Sequence, residues 1–477
     1  MEEKTRQQPI SHFTRRQEVR KRSSLERIRD FDEVSLGFNQ DQAMSEAGRC
    51  FQCQPPKCVR ACPVGIDIPE FIKHIQNDDY RAAVKVLKNR NSIPEVTGRV
   101  CPQETLCEAV CILAKKGEPV AIGALERFVA DSAEEQKLDV RRPSGKKVAV
   151  IGSGPAALTV ASDLQKLGHQ VVIYEALHES GGVLTYGIPA FRLPKEIVKK
   201  AINYIQRLGV KIEKNIVIGK SLTIDDLLES GFDAIFIGSG AGSPKFLGIL
   251  GENLIGVFSA SEFLTRCNLM KAYKFPEYDT PISVGQRVAV IGGGNVAMDA
   301  ARTALRLGAK EVRVVYRRTE KEMPARVEEV ENAKSEGVQF MTLVNLVKIL
   351  GNEEVQVRGL ECIRMKLGEV DSSGRRKPVE IKGSNFTLDS DTVIVATGQG
   401  PNPIISKTTP GLKIDGEGYI VADGRGRTSR PRVWAAGDIV PNSATVIEAM
   451  GGGRNASRDI HLFLQQVGHI RNRNWLG

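Results

Sequence analysis

KVAVIGSGPAALTVASDLQKLGHQVVIYE, residues 147–175, decides how the chain is read. An apolar run from Val148 to Ile151 meets a turn at Gly152, Ser153 and Gly154. It tightens at Ala157, continues with helical periodicity and returns as a second run, Val171 to Tyr174. Strand, glycine turn, helix and strand in that order form a dinucleotide-binding fingerprint. The first glycine permits the tight turn, the second lets a pyrophosphate approach the backbone, and a small third residue lets helix and sheet pack. The pyrophosphate then rests on a helix N-terminus, where free N–H groups favour negative charge. Glu175 closes the second strand, where a carboxylate can accept hydrogen bonds from ribose hydroxyls.

A second copy, QRVAVIGGGNVAMDAARTALRLGAKEVRVVYRR, occupies residues 286–318. Gly292, Gly294 and Ala297 repeat the first spacing, with Asn295 and Val296 opening the helix. Its second strand ends in Arg317 and Arg318 where the first copy ends in Glu175. An acid there suits a free ribose 2′-hydroxyl, whereas arginines suit the 2′-phosphate of NADP. Strands alternating with helices from Lys146 onward predict an α/β fold with parallel sheets. Apolar strands ending in glycine (Ala234–Ile237, then 392–396 and 433–436) suggest crossings between two domains, with the NADP unit inserted into the first.

Outward from these units, 477 residues suffice for about three domains. Hydrophobic content of 41% and charged content of 26% fit a soluble globular chain. The first residues hold no apolar core of signal-peptide length and no later stretch approaches a membrane span, so a cytoplasmic location is expected. The net charge of +10 is crowded early, at Arg15, Arg16, Arg20, Lys21 and Arg22. No nucleic-acid motif accompanies these residues, so they predict a solvated arm, packed on a partner subunit, rather than a nucleic-acid site.

Seven of the nine cysteines fall between Cys50 and Cys111. Without a secretion signal, such clustering argues for metal rather than disulfides. Cys50, Cys53, Cys58 and Cys62 are spaced C-x2-C-x4-C-x3-C and followed by Pro63, and Cys101, Cys107 and Cys111 follow as C-x5-C-x3-C. In ferredoxin-like runs the cysteine before proline serves the other cluster, so Cys62 leaves the first group and a later cysteine replaces it. Zinc, the alternative, usually shows two close CxxC pairs, and this field has one.

The nested fingerprints, the loop GGVLTYGIPAFRLPK (181–195) and the strand end WAAGD (434–438) make the chain resemble two-dinucleotide flavoprotein reductases. With GRVCPQETLCE (98–108) and YRRTEKEMPAR (316–326) added, it resembles three families. They are the small, or beta, subunit of NADPH-dependent glutamate synthase; the large subunit of the bifurcating NADH-dependent ferredoxin:NADP oxidoreductase; and the amino-terminal half of dihydropyrimidine dehydrogenase. The resemblance runs from about residue 38 to residue 456 and implies a helical iron–sulfur domain followed by two Rossmann-like domains. The expected boundaries are a basic arm (1–40), an iron–sulfur domain (41–144), an FAD domain in two parts (145–283 and 391–477) and an NADP(H) domain (284–390).

The same resemblance implies one [4Fe–4S] cluster on Cys50, Cys53, Cys58 and Cys111. It implies a second on Cys62, Cys101 and Cys107, with Glu126, in VAIGALERF (120–128), as eighth ligand. It implies FAD on Gly152, Ser153, Gly154, Ala157, Glu175, Gly182, Gly437 and Asp438. Tyr186, Gly187, Ile188 and Pro189 would lie near the isoalloxazine, and NADPH on Gly292, Gly294, Asn295, Val296, Arg317 and Arg318.

NADPH exchanges hydride, a cluster exchanges single electrons, and a flavin does both, so no proton-transfer side chain is demanded. A disulfide reductase needs two cysteines beside the flavin, and only Cys267 and Cys362 lie beyond the cluster field. A complete amidotransferase needs more sequence than remains. A non-enzymatic scaffold would show eroded motifs, and none is eroded. The expectation is an electron-transfer subunit working with a second electron-transfer or synthase subunit. It would most closely match the large subunit of a ferredoxin/NAD(H)/NADP(H) bifurcating complex, with the glutamate synthase small subunit as the alternative.

Overall fold

The computed structural model describes residues 15–132, 139–371, 374–441 and 443–473. Six helices build the cysteine-bearing region: α1 (Gln40–Ala47), α2 (Lys57–Ala61), α3 (Ile68–Gln76), α4 (Tyr80–Lys88), α5 (Pro94–Val100) and α6 (Ile122–Ser132). Local chemistry sets them. Asp67 caps α3 by accepting from the Glu70 amide with a proline in the first turn, and Asp79 caps α4 by accepting from Ala82. Phe71, Ile72 and Ile75 on α3 and Ala83, Val84 and Leu87 on α4 bury one face of each helix.

The first sheet takes β1 (Lys147–Ile151), β2 (Gln170–Tyr174), β3 (Lys211–Glu213) and β4 (Ala234–Ile237), with α7 (Pro155–Lys166) between β1 and β2. Along the chain follow β5 (Val257–Ser259), β6 (Arg287–Ile291), α8 (Asn295–Arg306), β7 (Glu311–Tyr316), α9 (Val327–Ser335) and β8 (Gln339–Thr342). Then come β9 (Val344–Gly351), β10 (Val357–Val370), β11 (Arg376–Glu380), β12 (Phe386–Asp389), β13 (Thr392–Val395), β14 (Val433–Ala435) and the long α10 (Val446–Arg473).

Two parallel five-stranded sheets result, ordered β14-β4-β1-β2-β3 and β8-β7-β6-β13-β5, and β9 to β12 form a separate antiparallel sheet. The second sheet differs from the boundaries expected at 284 and 390. β5 precedes that range and β13 follows it, yet β13 pairs with both β6 and β5. An interior apolar strand of a parallel sheet needs a neighbour on each side, and the chain supplies these from either end of the insertion.

Part of the basic segment is spent within the chain, while Arg15 and Arg20 stay exposed. Arg16 pairs with buried Glu108 at 2.9 Å, Lys21 with Glu328 at 3.0 Å, and buried Arg27 with Glu336 at 2.8 Å. One short segment thus ties the cysteine-bearing helices to the second dinucleotide unit. α10 lies along α7, and its glycines allow close contact: a Cβ at Gly453 would sit 2.6 Å from the Ala156 carbonyl oxygen, and one at Gly451 would sit 2.9 Å from that of Pro63. No helix among the described residues is long and apolar enough to cross a membrane.

Candidate functional site

A cavity of about 580 Å³ lies where the three regions meet. Gly152, Gly154 and Gly182 wall it from the first fingerprint, Asn295 and Val296 from the second, and Val100 and Pro102 from either side of Cys101.

Gly152 turns at φ +87°, and a Cβ there would lie 2.6 Å from the Gly238 carbonyl oxygen, so only glycine fits. Gly154 is different: a Cβ would meet no protein atom within 4 Å. The space it faces, at the N-terminus of α7, is a cradle suited to a phosphate. Glu175 is buried, and its carboxylate accepts from the Ser153 amide at 3.0 Å, from the Ser153 hydroxyl, and from the Leu177 amide at 2.8 Å. A carboxylate has about four acceptor sites, so capacity remains for a ribose hydroxyl. Gly182 packs against Gly154, Ala157 is buried beneath the turn, and Gly437 sits over Ala156. Asp438 also lines the cavity, and burial, reinforced by nearby Glu448, pushes its carboxyl up to about 6. These residues fit FAD.

Tyr186, Gly187 and Ile188 line the cavity, whereas Pro189, next in sequence, is buried behind them. Burial pushes the Tyr186 phenol up to about 12, with Asp438 and Glu175 adding to it. Two side chains not foreseen from sequence clamp this loop. Lys195 donates to the carbonyls of Leu184, at 2.9 Å, and Ile188. Asn268, from the helix after β5, donates to those of Tyr186 at 3.2 Å and Gly187 at 3.1 Å. Lys195 stood within a quoted motif, but Asn268 lies more than 80 positions from its targets in sequence. Burial pushes the Lys195 ammonium down to about 7.

In the second fingerprint a Cβ at Gly292 would lie 2.4 Å from the Ala396 carbonyl oxygen, while one at Gly294 would meet only Pro324, at 3.9 Å. The Asn295 carboxamide accepts from the Arg326 amide at 3.0 Å. The two arginines that end β7 part company. Arg317 is exposed and makes no hydrogen bond or ion pair among the described residues. Arg318 is buried, donating to Asp371 at 2.6 Å and to the Arg376 carbonyl at 2.8 Å, so it holds the β10–β11 hairpin.

All nine cysteines are free thiols. Burial raises the Cys50 thiol, with Cys111 and Cys53 adding to it, and pushes Cys58 up to about 11, with Cys50 and Cys111 contributing. Burial likewise raises Cys62, Cys101 and Cys107, and Glu126 is close enough to raise all three further. Cys50 is thus near enough to feel Cys53 and Cys111, Cys58 to feel Cys50 and Cys111, and Cys62, Cys101 and Cys107 to feel Glu126. Burial keeps such thiols protonated until a metal displaces the protons. Among the described residues no three His, Cys, Asp or Glu side chains close on a single ion, whereas an iron–sulfur cluster takes its thiolates at separate irons. Glu126 is itself buried and accepts from Asn91 at 2.9 Å and Thr97 at 2.5 Å. Burial pushes its carboxyl up to about 7 against those bonds.

A flavin cradle, a nicotinamide-nucleotide unit inserted beside it and a cysteine-rich helical domain against both define the class of iron–sulfur flavoprotein oxidoreductases. The chain belongs to the pyridine nucleotide-disulphide oxidoreductase family, whose pattern matches residues 146–453, and ahead of it residues 27–138 match dihydropyrimidine dehydrogenase domain II, 4Fe-4S cluster. It is 37% identical to the glutamate synthase [NADPH] small chain of Escherichia coli K12, over 91% of this chain and 94% of that protein. It is 38% identical to the NADP(+)-dependent formate dehydrogenase subunit beta of Moorella thermoacetica, over 86% of this chain but only 60% of that protein. Among solved structures, Mycobacterium tuberculosis FprA in complex with NADPH matches 70% of this chain and 86% of its own, with a TM-score of 0.57 at 23% identity, a likeness of fold. The chain is an NADPH-dependent oxidoreductase of the FAD, NADP and 4Fe–4S kind. Cys267 and Cys362 are buried in separate cores, and burial pushes each thiol up to about 12.

Proposed function

We propose that this chain is an electron-transfer subunit that exchanges electrons between NADPH and a partner subunit. The observation that carries the reading is the single cavity walled at once by the flavin cradle, by Asn295 and Val296, and by the neighbours of Cys101. Bound FAD supplies exchange between hydride and single electrons, and iron–sulfur clusters supply one-electron transfer. The protein's part is position. Gly152, Gly154 and Gly182 cradle the diphosphate, and Glu175 holds the ribose. Lys195 and Asn268 fix the loop at Tyr186, Asn295 opens the nucleotide helix, and Arg317 meets the 2′-phosphate. Two clusters are assigned, one on Cys50, Cys53, Cys58 and Cys111 and one on Cys62, Cys101, Cys107 and Glu126. A purified protein with neither flavin nor iron absorbance would overturn this reading.

Relatives named as small or beta subunits support a partner. The finer reading is the large subunit of a bifurcating complex, dividing electrons between ferredoxin and an NAD-handling subunit. It rests on EMPAR (322–326) and on Glu126. The second reading, the glutamate synthase small subunit, draws support from near full-length matches to such chains. Co-purification separates them. A partner giving glutamine-dependent NADPH oxidation would sink bifurcation, and a two-subunit complex reducing ferredoxin and NAD together would sink the synthase reading.

A further inference from the structure

Arg326 carries hydrogen bonds from the second dinucleotide unit to the cysteine-bearing helices. It is half-buried at the N-cap of α9, and its guanidinium spreads over the loop that carries Cys101. Nε donates to Glu104 Oε1 at 2.9 Å, Nη2 to Glu104 Oε2 and to Gln103 Oε1 at 3.2 Å each, and Nη1 to the Arg99 carbonyl at 3.3 Å. These partners bracket Cys101 on both sides. The backbone of the same residue is engaged from the nucleotide side, where the Asn295 carboxamide accepts from the Arg326 amide at 3.0 Å. From Gln103 the bonds continue inward: Gln103 Nε2 donates to the Thr97 carbonyl at 3.3 Å, and Thr97 Oγ1 donates to Glu126 Oε1 at 2.5 Å. One hydrogen-bonded path thus joins the N-terminus of α8, where NADP would lie, to the carboxylate gathered with Cys62, Cys101 and Cys107.

We propose that Arg326 is a positioning residue that couples the NADP site to the second cluster, holding the Cys101 loop in register with α8 and placing a fixed positive charge beside that cluster. The inference rests on the assignment of a cluster to Cys62, Cys101, Cys107 and Glu126. Two physical effects act together. A planar fork with these four bonds, and a fifth from Nη2 to Glu328 Oε2 at 3.4 Å, allows the loop a single setting, which a flexible ammonium cannot reproduce. A positive charge favours the more negative, reduced state of a nearby cluster, and the Arg326 side chain, 9% exposed, is screened less than its carboxylate partners Glu104 and Glu328 at 31% and 36%.

The test uses the holoprotein, with iron content and redox-titrated electron paramagnetic resonance as one readout. Hydrogen exchange of residues 99–108 with and without NADP+ is the other. In the wild type, NADP+ should slow exchange in that loop. Arg326→Gln should retain both clusters, shift the second cluster's potential to a more negative value and abolish the NADP+ effect. Arg326→Lys should keep the potential near the wild-type value yet still lose the NADP+ effect, which separates charge from fork and guards against a folding defect in the first variant. An unshifted potential in Arg326→Gln with full iron, or undiminished NADP+ protection in both variants, would overturn the proposal. A wild-type protein that holds only one cluster would overturn the cluster assignment instead, and the coupling with it.

Discussion

Replacing Arg317 with alanine should raise KM for NADPH at least about tenfold and leave NADH nearly unchanged, because a charge-assisted phosphate contact is lost. Steady-state kinetics with both nucleotides check this, and an equal loss with both would remove Arg317 from the phosphate. Arg318→Ala should behave differently. It strips a buried guanidinium from Asp371 and the Arg376 carbonyl, costing about 1–3 kcal/mol, and should lower the melting temperature more than it alters nucleotide choice. From sequence the two arginines were equivalent; only the approach of the β10–β11 hairpin distinguishes them. Lys195 gives a pH test. Its pKa falls from an ordinary 10.5 to about 7 on folding, so the unfolded chain binds more protons between those values. The cost is full below pH 7 and fades as pH rises toward 10.5. Relative to Lys195→Met, the wild type should therefore gain stability across that window, and a constant difference in melting temperature would exclude the effect. Glu126→Ala should cut iron by about half if it completes one of two four-iron sites, as a colorimetric iron assay would show.

At the scale of elements, the fingerprint was legible because its chemistry is local. Turn, helix start and strand end follow from neighbouring residues, and β1–α7–β2 and β6–α8–β7 stand where the pattern puts them. A pair of glycine variants tests what the turn does. Gly154→Ala places a methyl in protein-free space, so the apoprotein should melt as the wild type does while flavin content, read by absorbance, falls sharply. Gly152→Ala forces a methyl against the Gly238 carbonyl in a left-handed backbone, so it should destabilise the fold itself. Membership of the second sheet was not legible. β5 and β13 are short apolar strands whose membership depends on a partner far away in sequence, and a local pattern carries no information about which sheet closes over them.

Across the whole molecule, a buried network joins its parts. Arg192, beside the flavin loop, pairs with Asp299 at 2.7 Å and with Glu329 at 3.1 Å; Arg302 continues to Glu329 and to Glu336, and Arg27 reaches Glu336 from the basic segment. Phe191 lies under Arg302 and Arg306, with ring centroids 4.7 and 4.0 Å from their guanidinium carbons. Composition gave no hint of this, since charge in a sequence reads as solvated until a fold buries it. Arg302→Met would leave two buried carboxylates short of a partner, and a loss of about 3–5 kcal/mol is expected in denaturant unfolding.

α10 carries the last consequence. Its glycines let backbone touch backbone on two sides, at Pro63, which follows Cys62, and at Ala156, in the first turn of α7 beside the glycine turn. Side chains can rearrange under load; main chain in contact cannot. With a cluster on Cys62 as proposed, the helix would act as a gauge block, setting the gap an electron crosses between cluster and flavin. A single added methyl at Gly451 should register as a slower electron-transfer rate before it registers as a lost fold.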